Sequence, residues 1–420
     1  MISRVVRVNS FSRKHVYFLS ESDFGAMALS SKGVYIVGAK RTPFCSYGGQ
    51  FREWQACHAF VAAAKDAMSS ANVDPGSVDQ TVVGNVNYLS QCDGGKTPRY
   101  CGIYSGIPID RPALGVNKAC GTGLQAIITA AVDMLIGTSN LCLVGGTEIM
   151  SSLPLLVRDV RFGTTFTTPY KLEDQMRSTP DSFTGMTMQK LAKETTKKNS
   201  IAREEIYKYN AESILRWTRA QKSGIFSKEI TKVNLNINKK DVVVDEDQPA
   251  RADISAEERD NIIALDNEEI SDNSSSPADG AVALVLASEE AIKRHSLQPL
   301  ARVAGWACTG SDPSDIAAGT VTAIQKLLGS CKLSADDVDL YEINETFAAQ
   351  VLVVAKQLKL DLRKVNVNGG ALAVGNPVAA TGARMATHLC YELGRRNLKR
   401  GLAASQCGLG QGIAVTFERL

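Results

Sequence analysis

The chain has 420 residues, 44% of them hydrophobic, which is too long for one simple domain and ample for a large core. Its 47 basic and 44 acidic residues leave a formal charge of only +3, and those charges are scattered. That pattern argues against a dedicated nucleic-acid surface, while local basic patches for phosphate groups remain open. No uninterrupted apolar stretch approaches the roughly 20 residues of a membrane span. The ten cysteines lack a tight regular spacing and read as reduced thiols. Neither a C-x-x-C pair nor a His-rich cluster proposes a metal site.

The first twenty residues carry Arg4, Arg7, Arg13 and Lys14, with no acidic residue before Glu21. Serines and bulky apolar residues are interleaved among them. This is the composition of a mitochondrial transit peptide, so residues 1–32 are read as a presequence and the mature protein is expected in the matrix. A clear strand follows at 34–38, then a helix around 55–71 and a strand at 80–86. A further strand at 112–116 runs into the turn Asn117-Lys118-Ala119-Cys120-Gly121. Leu124, Ile127, Ile128, Ala131 and Leu135 then fall at helical spacing. Cys120 is therefore expected on a tight turn at a helix N-terminus, where backbone N–H groups and the helix dipole stabilise a thiolate. A thiolate so placed suits covalent catalysis; the alternative is a buried structural cysteine.

Another apolar strand spans 141–145. Residues 151–272 are more polar and read as irregular, with charge-rich stretches at 190–198 and 245–260. Strands are again expected at 338–343, before a helix from Asn344, and at 365–368, before a Gly-rich turn and helix. Strands at 401–405 and 413–417 close the chain. The alternation predicts an α/β protein with buried sheets. Val116 to Cys120 and Val365 to Gly369 share one plan, a strand ending in Asn and then a small-residue turn. A weak internal duplication follows.

Several segments together resemble the thiolase family, over nearly the whole chain after residue 32. They are Arg41-Thr42-Pro43, the Cys120 turn, and Gly145-Gly146-Thr147-Glu148-Ile149-Met150-Ser151, which is similar to GGxExMS. Asn273 to Gly280 is similar to the NxSGxxDG loop, and Gly185 to Ala192 to the MGxTAE helix. Asn344-Glu345-Thr346-Phe347-Ala348 resembles NEAF, and 366–384 the block that contains GHP. The resemblance implies a five-layered αβαβα fold of two similar halves with an inserted loop domain. Residues 33–150, completed by about 273–298, would form the first half and 299–420 the second. Residues 151–272 would be the loop domain covering coenzyme A.

Thiolase chemistry needs a thiolate, a base to ionise it, donors for two oxyanions and an acid/base for the α-carbon. The resemblance assigns the nucleophile to Cys120 and the water-positioning asparagine to Asn344. The other two groups depart from the pattern. GHP is replaced by Gly375-Asn376-Pro377, and asparagine does not titrate near neutral pH. His15, His58, His295 and His388 all read as structural or exposed. The C-terminal motif is Gln406-Cys407-Gly408-Leu409-Gly410. Aligning its glycines without a gap puts Gln406 on the acid/base position and Cys407 one residue late; a one-residue deletion would keep the thiol in place. Both alignments stay open.

The leading expectation is an acyltransferase acting on 3-ketoacyl-CoA and coenzyme A, as a homodimer or homotetramer, with no permanently bound cofactor. The N–H groups of Cys120 and Gly408 would hold the thioester oxyanion, and Asn376 would help hold the second oxygen. Ser275 and Arg251 would contact coenzyme A. The alternative is a thiolase-like acyl-CoA-binding protein with little thiolysis, motivated by Asn376. A ketosynthase-type condensing enzyme is the weakest reading, because it needs a histidine where Asn344 stands.

Overall fold

The computed structural model describes residues 33–91, 93–167, 169–174, 180–237, 239–248 and 273–420. The expected presequence lies outside the described residues. The main sheet contains β1 (Val34–Arg41), β2 (Gln80–Gly84), β3 (Ala113–Val116), β4 (Leu141–Ile149) and β5 (Ala278–Ser288). It continues with β6 (Ala301–Gly310), β7 (Leu340–Ile343), β8 (Arg400–Gln406) and β9 (Gln411–Glu418). Their order across the sheet is β7-β8-β9-β6-β1-β5-β4-β2-β3, and the short strand Cys45–Ser46 pairs with β5.

The pairing pattern occurs twice. In the first half β1 is antiparallel to β5 and β5 to β4, while β4 is parallel to β2 and β2 to β3. In the second, β6 is antiparallel to β9 and β9 to β8, while β8 is parallel to β7. A parallel bridge from Tyr341 to Val365 stands where the fifth strand would be. The halves join through β1 and β6, paired at Tyr35–Arg302 and Ile36–Ala301. The expected duplication is thus a repeated topology.

Three hydrophobic clusters separate five layers. Alternate residues of β5 point to opposite faces. Val282, Leu284 and Leu286 enter the central cluster, and Ala281, Ala283 and Val285 an outer one. The outer cluster packs α1 (Ala56–Ser70) on the first half, through Phe60, Ala63 and Ala67. The central cluster joins Leu124, Ile127 and Ala131 of α2 (Thr122–Ile136) to residues from both halves. On the far side, α4 (Ala318–Ser330) and α5 (Ala348–Leu358) cover the second half. Ala383, Leu389 and Leu393 of α6 (Val378–Arg396) share the central cluster with α2. The window Ala119–Ile136 is long and apolar enough to cross a bilayer, but here that apolarity belongs to a core helix packed against residues of both halves.

The N-terminal turns of α2 and α6 cross closely. A Cβ on Gly123 would lie 2.3 Å from Ala383 N, and one on Gly382 would lie 2.7 Å from Leu124 N. Only glycine permits that approach, and it brings the turns before both helices, carrying Cys120 and Asn376, to one end of the central layer.

Three expectations are corrected. The segment read as irregular contains α3 (Arg203–Lys222), which buries Ile206, Tyr209, Asn210, Ser213, Ile214 and Trp217 along one stripe. Tyr, Asn and Ser on that face, rather than aliphatic residues, hid the period. The strand expected at 365–368 is only the Val365 bridge. Asn366 has φ 45°, and its amide replaces ladder bonds by accepting from Ile343 N at 2.8 Å and donating to Ile343 O at 2.9 Å. Finally, the helix after β7 starts at Ala348, four residues beyond Asn344.

Candidate active site

Cys120 lies one residue before Gly121, the N-cap of α2, as the sequence pattern predicts. Its predecessor Ala119 has φ 45°, a left-handed conformation that costs a non-glycine residue about 1 kcal/mol or more. Side chains on both flanks hold the turn. Asn117 Oδ1 accepts from Ala119 N at 3.0 Å, and Thr122 Oγ1 accepts from Lys118 N at 2.8 Å. The Thr122 hydroxyl in turn donates to Ala119 O at 2.6 Å. Burial pushes the Cys120 thiol above its ordinary value; the Thr346 hydroxyl and the cysteine's own N–H oppose that push.

The second half supplies the facing groups. Cys407 is buried, and its sulfur would lie 2.4 Å from a Cβ placed on Gly121. Burial pushes this thiol up to about 12, with Cys120 beside it adding to the rise. Gln406 is engaged at both ends of its amide: its Oε1 accepts from Gly408 N at 3.1 Å, and its Nε2 lies 3.5 Å from Thr346 Oγ1. Of the two candidates for the acid/base position, the sulfur is the one packed beside the Cys120 turn. The Gly408 N–H, expected to face an oxyanion, is capped by the Gln406 carbonyl in this conformation.

Asn344 is buried and donates through Nδ2 toward Thr346 Oγ1 and Ser405 Oγ, both at 3.4 Å. Its Oδ1 is buried without a protein hydrogen-bond partner. Asn376 is buried too, and its Oδ1 accepts from Thr381 Oγ1 at 2.7 Å. That bond fixes the amide so that Nδ2 is the group left to donate. The 273–277 segment ties these residues together. Ser275 N donates to Thr346 O at 3.0 Å, and Asn376 N donates to Ser276 O at 2.9 Å. Ser275 is therefore wedged between the Thr346 and Asn376 segments. Arg251 lies outside the described residues.

Sequence reasoning passed over several residues here. Glu345 accepts from Tyr209, Ser213, Asn366 and the Leu372 N–H, all at 3.0 Å or less. It clamps α3 onto the site. The Thr346 side chain is legible in the sequence only as one letter of a motif, and its polarity is the signal that marks it. His388 belongs to a buried network away from Cys120. Its Nδ1 lies 3.0 Å from Glu229 Oε2, and Glu229 Oε1 accepts from Arg41 Nε at 2.8 Å. The Arg41 guanidinium also grips Asp247 through two nitrogens. Among the described residues no cluster of His, Cys, Asp or Glu forms a metal-binding group, and every described cysteine is a free thiol.

Comparison with known proteins agrees with this geometry. The family models described as the thiolase N-terminal domain and the thiolase C-terminal domain match residues 34–290 and 297–419. Human mitochondrial 3-ketoacyl-CoA thiolase is 39% identical over 391 residues, covering 92% of this chain and 98% of the relative. An acetyl-CoA acetyltransferase of Rhizobium meliloti is 34% identical over 400 residues, covering 93% and 100%. The crystal structure of the human mitochondrial enzyme superposes with a TM-score of 0.88 at 38% identity, over 93% of this chain and 99% of that one. Its complex with CoA gives 0.87 at the same identity, over 93% and 98%. A repeated half-sheet topology, a cysteine on a strained turn between the halves and matches over nine-tenths of both partners have one explanation: this chain belongs to the thiolase family.

Proposed function

We propose that this protein is an acyl-CoA acyltransferase that cleaves 3-ketoacyl-CoA with coenzyme A, or runs the reverse condensation, through an acyl-Cys120 intermediate. The observation that carries this reading is the convergence of Cys120, Asn344, Asn376 and Cys407 from both halves on one end of the central helix layer. In thiolysis the Cys120 thiolate adds to the 3-keto carbon, and the oxygen takes the negative charge. The C2–C3 bond then breaks, and its electron pair goes to C2, the α-carbon of the departing acetyl-CoA. That carbon takes a proton. The thiol of coenzyme A next adds to the acyl-Cys120 carbonyl, releasing the shortened acyl-CoA and returning Cys120 to its thiol.

Cys407 is the group we assign to protonate the α-carbon. A thiol held near 12 stays protonated at neutral pH, which is the form an acid needs. Asn344 Oδ1, buried with an open acceptor, suits a water held for the second oxyanion. Asn376 Nδ2 supplies a neutral donor to the same oxygen. Cys120 N–H and Gly408 N–H would bind the thioester oxyanion once Gln406 swings off Gly408. Ser275, beside Thr346, and Arg251 are assigned to coenzyme A, beneath a cover formed by residues 151–272. The exposed edge strand β3, with Leu114 47% exposed, supports a homodimer or homotetramer. A mitochondrial matrix location rests on the N-terminal composition and on the mitochondrial relatives.

The test is thiolysis of acetoacetyl-CoA and of one long-chain 3-ketoacyl-CoA by the wild type and Cys120→Ala. Turnover in the wild type and its loss in Cys120→Ala are expected; undiminished turnover in the variant would overturn the reading. Tight binding of coenzyme A with background turnover in both would favour the acyl-CoA-binding alternative, for which Asn376 and the capped Gly408 N–H are the motivating observations.

A further inference from the structure

β4 runs on past the end of its neighbour. It pairs in parallel with β2 as far as Gly84 and Gly146, so Glu148, two residues on, reaches the turn that follows β2. Glu148 is fully buried, and neutral N–H groups of that turn hold its carboxylate. Oε2 accepts from Val86 N, and Oε1 accepts from Asn87 N and from Asn85 Nδ2, each at 3.1 Å. Hydrogen bonds to an ionised group are about twice as strong as neutral ones, so one buried carboxylate fixes the turn. From there the path to the nucleophile is short. Val86 O accepts from Asn117 Nδ2 at 3.3 Å, and Asn117 Oδ1 accepts from Ala119 N at 3.0 Å. Ala119 is the residue with φ 45° that precedes Cys120. Packing ties the same segment to the start of α2, since a Cβ on Gly84 would lie 2.2 Å from Thr122 Cγ2.

We propose that Glu148 is a positioning residue for Cys120, acting through the 85–87 turn and Asn117 to hold the strained turn at the start of α2. The inference rests on Cys120 being the nucleophile. Its sulfur and its backbone N–H both ride on that turn, so a shift there moves the attacking atom and one oxyanion donor together. A displacement of about 1 Å can cost about a hundredfold in rate. Ser275, assigned to coenzyme A, lies outside this path, so the loss falls on the acyl-transfer step rather than on binding.

The experiment follows transfer of the acetyl group from acetyl-CoA to Cys120, by intact-mass measurement on the full chain. The carbonyl carbon leaves the coenzyme A sulfur for the Cys120 sulfur, and the cysteine proton ends on the released thiol. Glu148→Gln keeps the shape and removes the charge, while Asn117→Ala removes the link. Each is expected to transfer about tenfold more slowly at saturating acetyl-CoA, with half-saturation within about twofold of wild type. The double variant is expected within about threefold of the slower single one, because the two residues act along one path. A wild-type rate in either single variant, a change confined to half-saturation, or a double variant losing the product of the two single losses would overturn the proposal. Should Glu148→Gln fail to fold, Asn117→Asp reads the same link from an exposed position. Aspartate still accepts from Ala119 N but has no N–H for Val86 O. It is expected to be as slow as Asn117→Ala, and a wild-type rate in it would overturn the proposal. Failure of the underlying reading would look different: the wild type would take no acetyl group, or Cys120→Ala would still take one.

Discussion

The sulfur of Cys407 occupies the space in which a side chain on Gly121 would begin, 2.4 Å from where that Cβ would stand. Cys407 comes from the turn after β8 in the second half and Gly121 from the cap of α2 in the first. The contact therefore sets how closely the two halves approach beside Cys120.

Gly121→Ala should force the sulfur away. Overpacking of this kind costs about 1–3 kcal/mol, and the melting temperature should fall accordingly. Turnover should fall further than stability does, because the displaced thiol no longer reaches the α-carbon. Cys407→Ala should separate the two effects, folding normally and losing about two to four orders of magnitude in turnover. Transfer of an acetyl group from acetyl-CoA to Cys120 should survive in it, since that half-reaction needs no α-carbon acid. Intact-mass measurement of the acetyl-enzyme checks this. Loss of acetylation along with turnover would mean that Cys407 acts on the nucleophile rather than on the α-carbon.

Asn376 invites the opposite manipulation. Its Oδ1 is held by Thr381 Oγ1 at 2.7 Å, and a histidine there would meet the same hydroxyl while adding a group that titrates near neutrality. Asn376→His should raise kcat about a hundredfold or more, the usual contribution of a positioned base. Asn376→Ala should lower kcat about tenfold through loss of one neutral hydrogen bond in the transition state. The ratio of the two variants, measured by acetoacetyl-CoA thiolysis at saturating coenzyme A, is the useful quantity. A histidine variant no faster than wild type would show that proton removal from Cys120 does not limit turnover.

The difference between what could be read in the sequence and what could not follows from range. The Cys120 turn was legible because its parts are local: an apolar strand, a glycine and a helical period lie within about twenty residues. The duplication was visible for the same reason, in two strand-turn-helix units. The register of Gln406 and Cys407 was not legible, since a one-residue alternation on a strand is decided by what faces it. Here Gly121, almost three hundred residues earlier, leaves room for a sulfur. α3 was missed because its buried stripe includes Asn210 and Ser213, and Ser213 is buried to serve Glu345 rather than to exclude water. Strand β5, Ala278–Ser288, is buried on both faces, and its continuous apolar run is the mark of a strand packed on two sides.

His388 offers a test of the buried network and of its sign. Burial disfavours the charged imidazole, but Glu229 at 3.0 Å outweighs this, with Glu342 and Glu392 assisting, and holds the ring above its ordinary value. Burial likewise pushes the Glu229 carboxyl up, yet Arg41 and His388 more than offset it and bring it down to about 2. A raised histidine contributes stability below its unfolded value near 6.5 and loses it as pH rises through the folded value. A depressed carboxylate contributes above its unfolded value near 4.5 and loses it as pH falls toward 2. Both contributions are therefore complete between about pH 4.5 and 6.5. His388→Gln should cost about 3–5 kcal/mol at pH 5.5, where it breaks a buried ion pair, and less at pH 10 to the extent that the ring has lost its proton there, down to about 1 kcal/mol for a neutral hydrogen bond. Urea midpoints of wild type and variant at the two pH values measure the difference, and comparing the pair at each pH cancels the titration of every other group. Equal losses at both would mean that the ring keeps one charge state from pH 5.5 to 10, and the size of the shared loss says which: about 3–5 kcal/mol for the ion pair or about 1 kcal/mol for a neutral hydrogen bond.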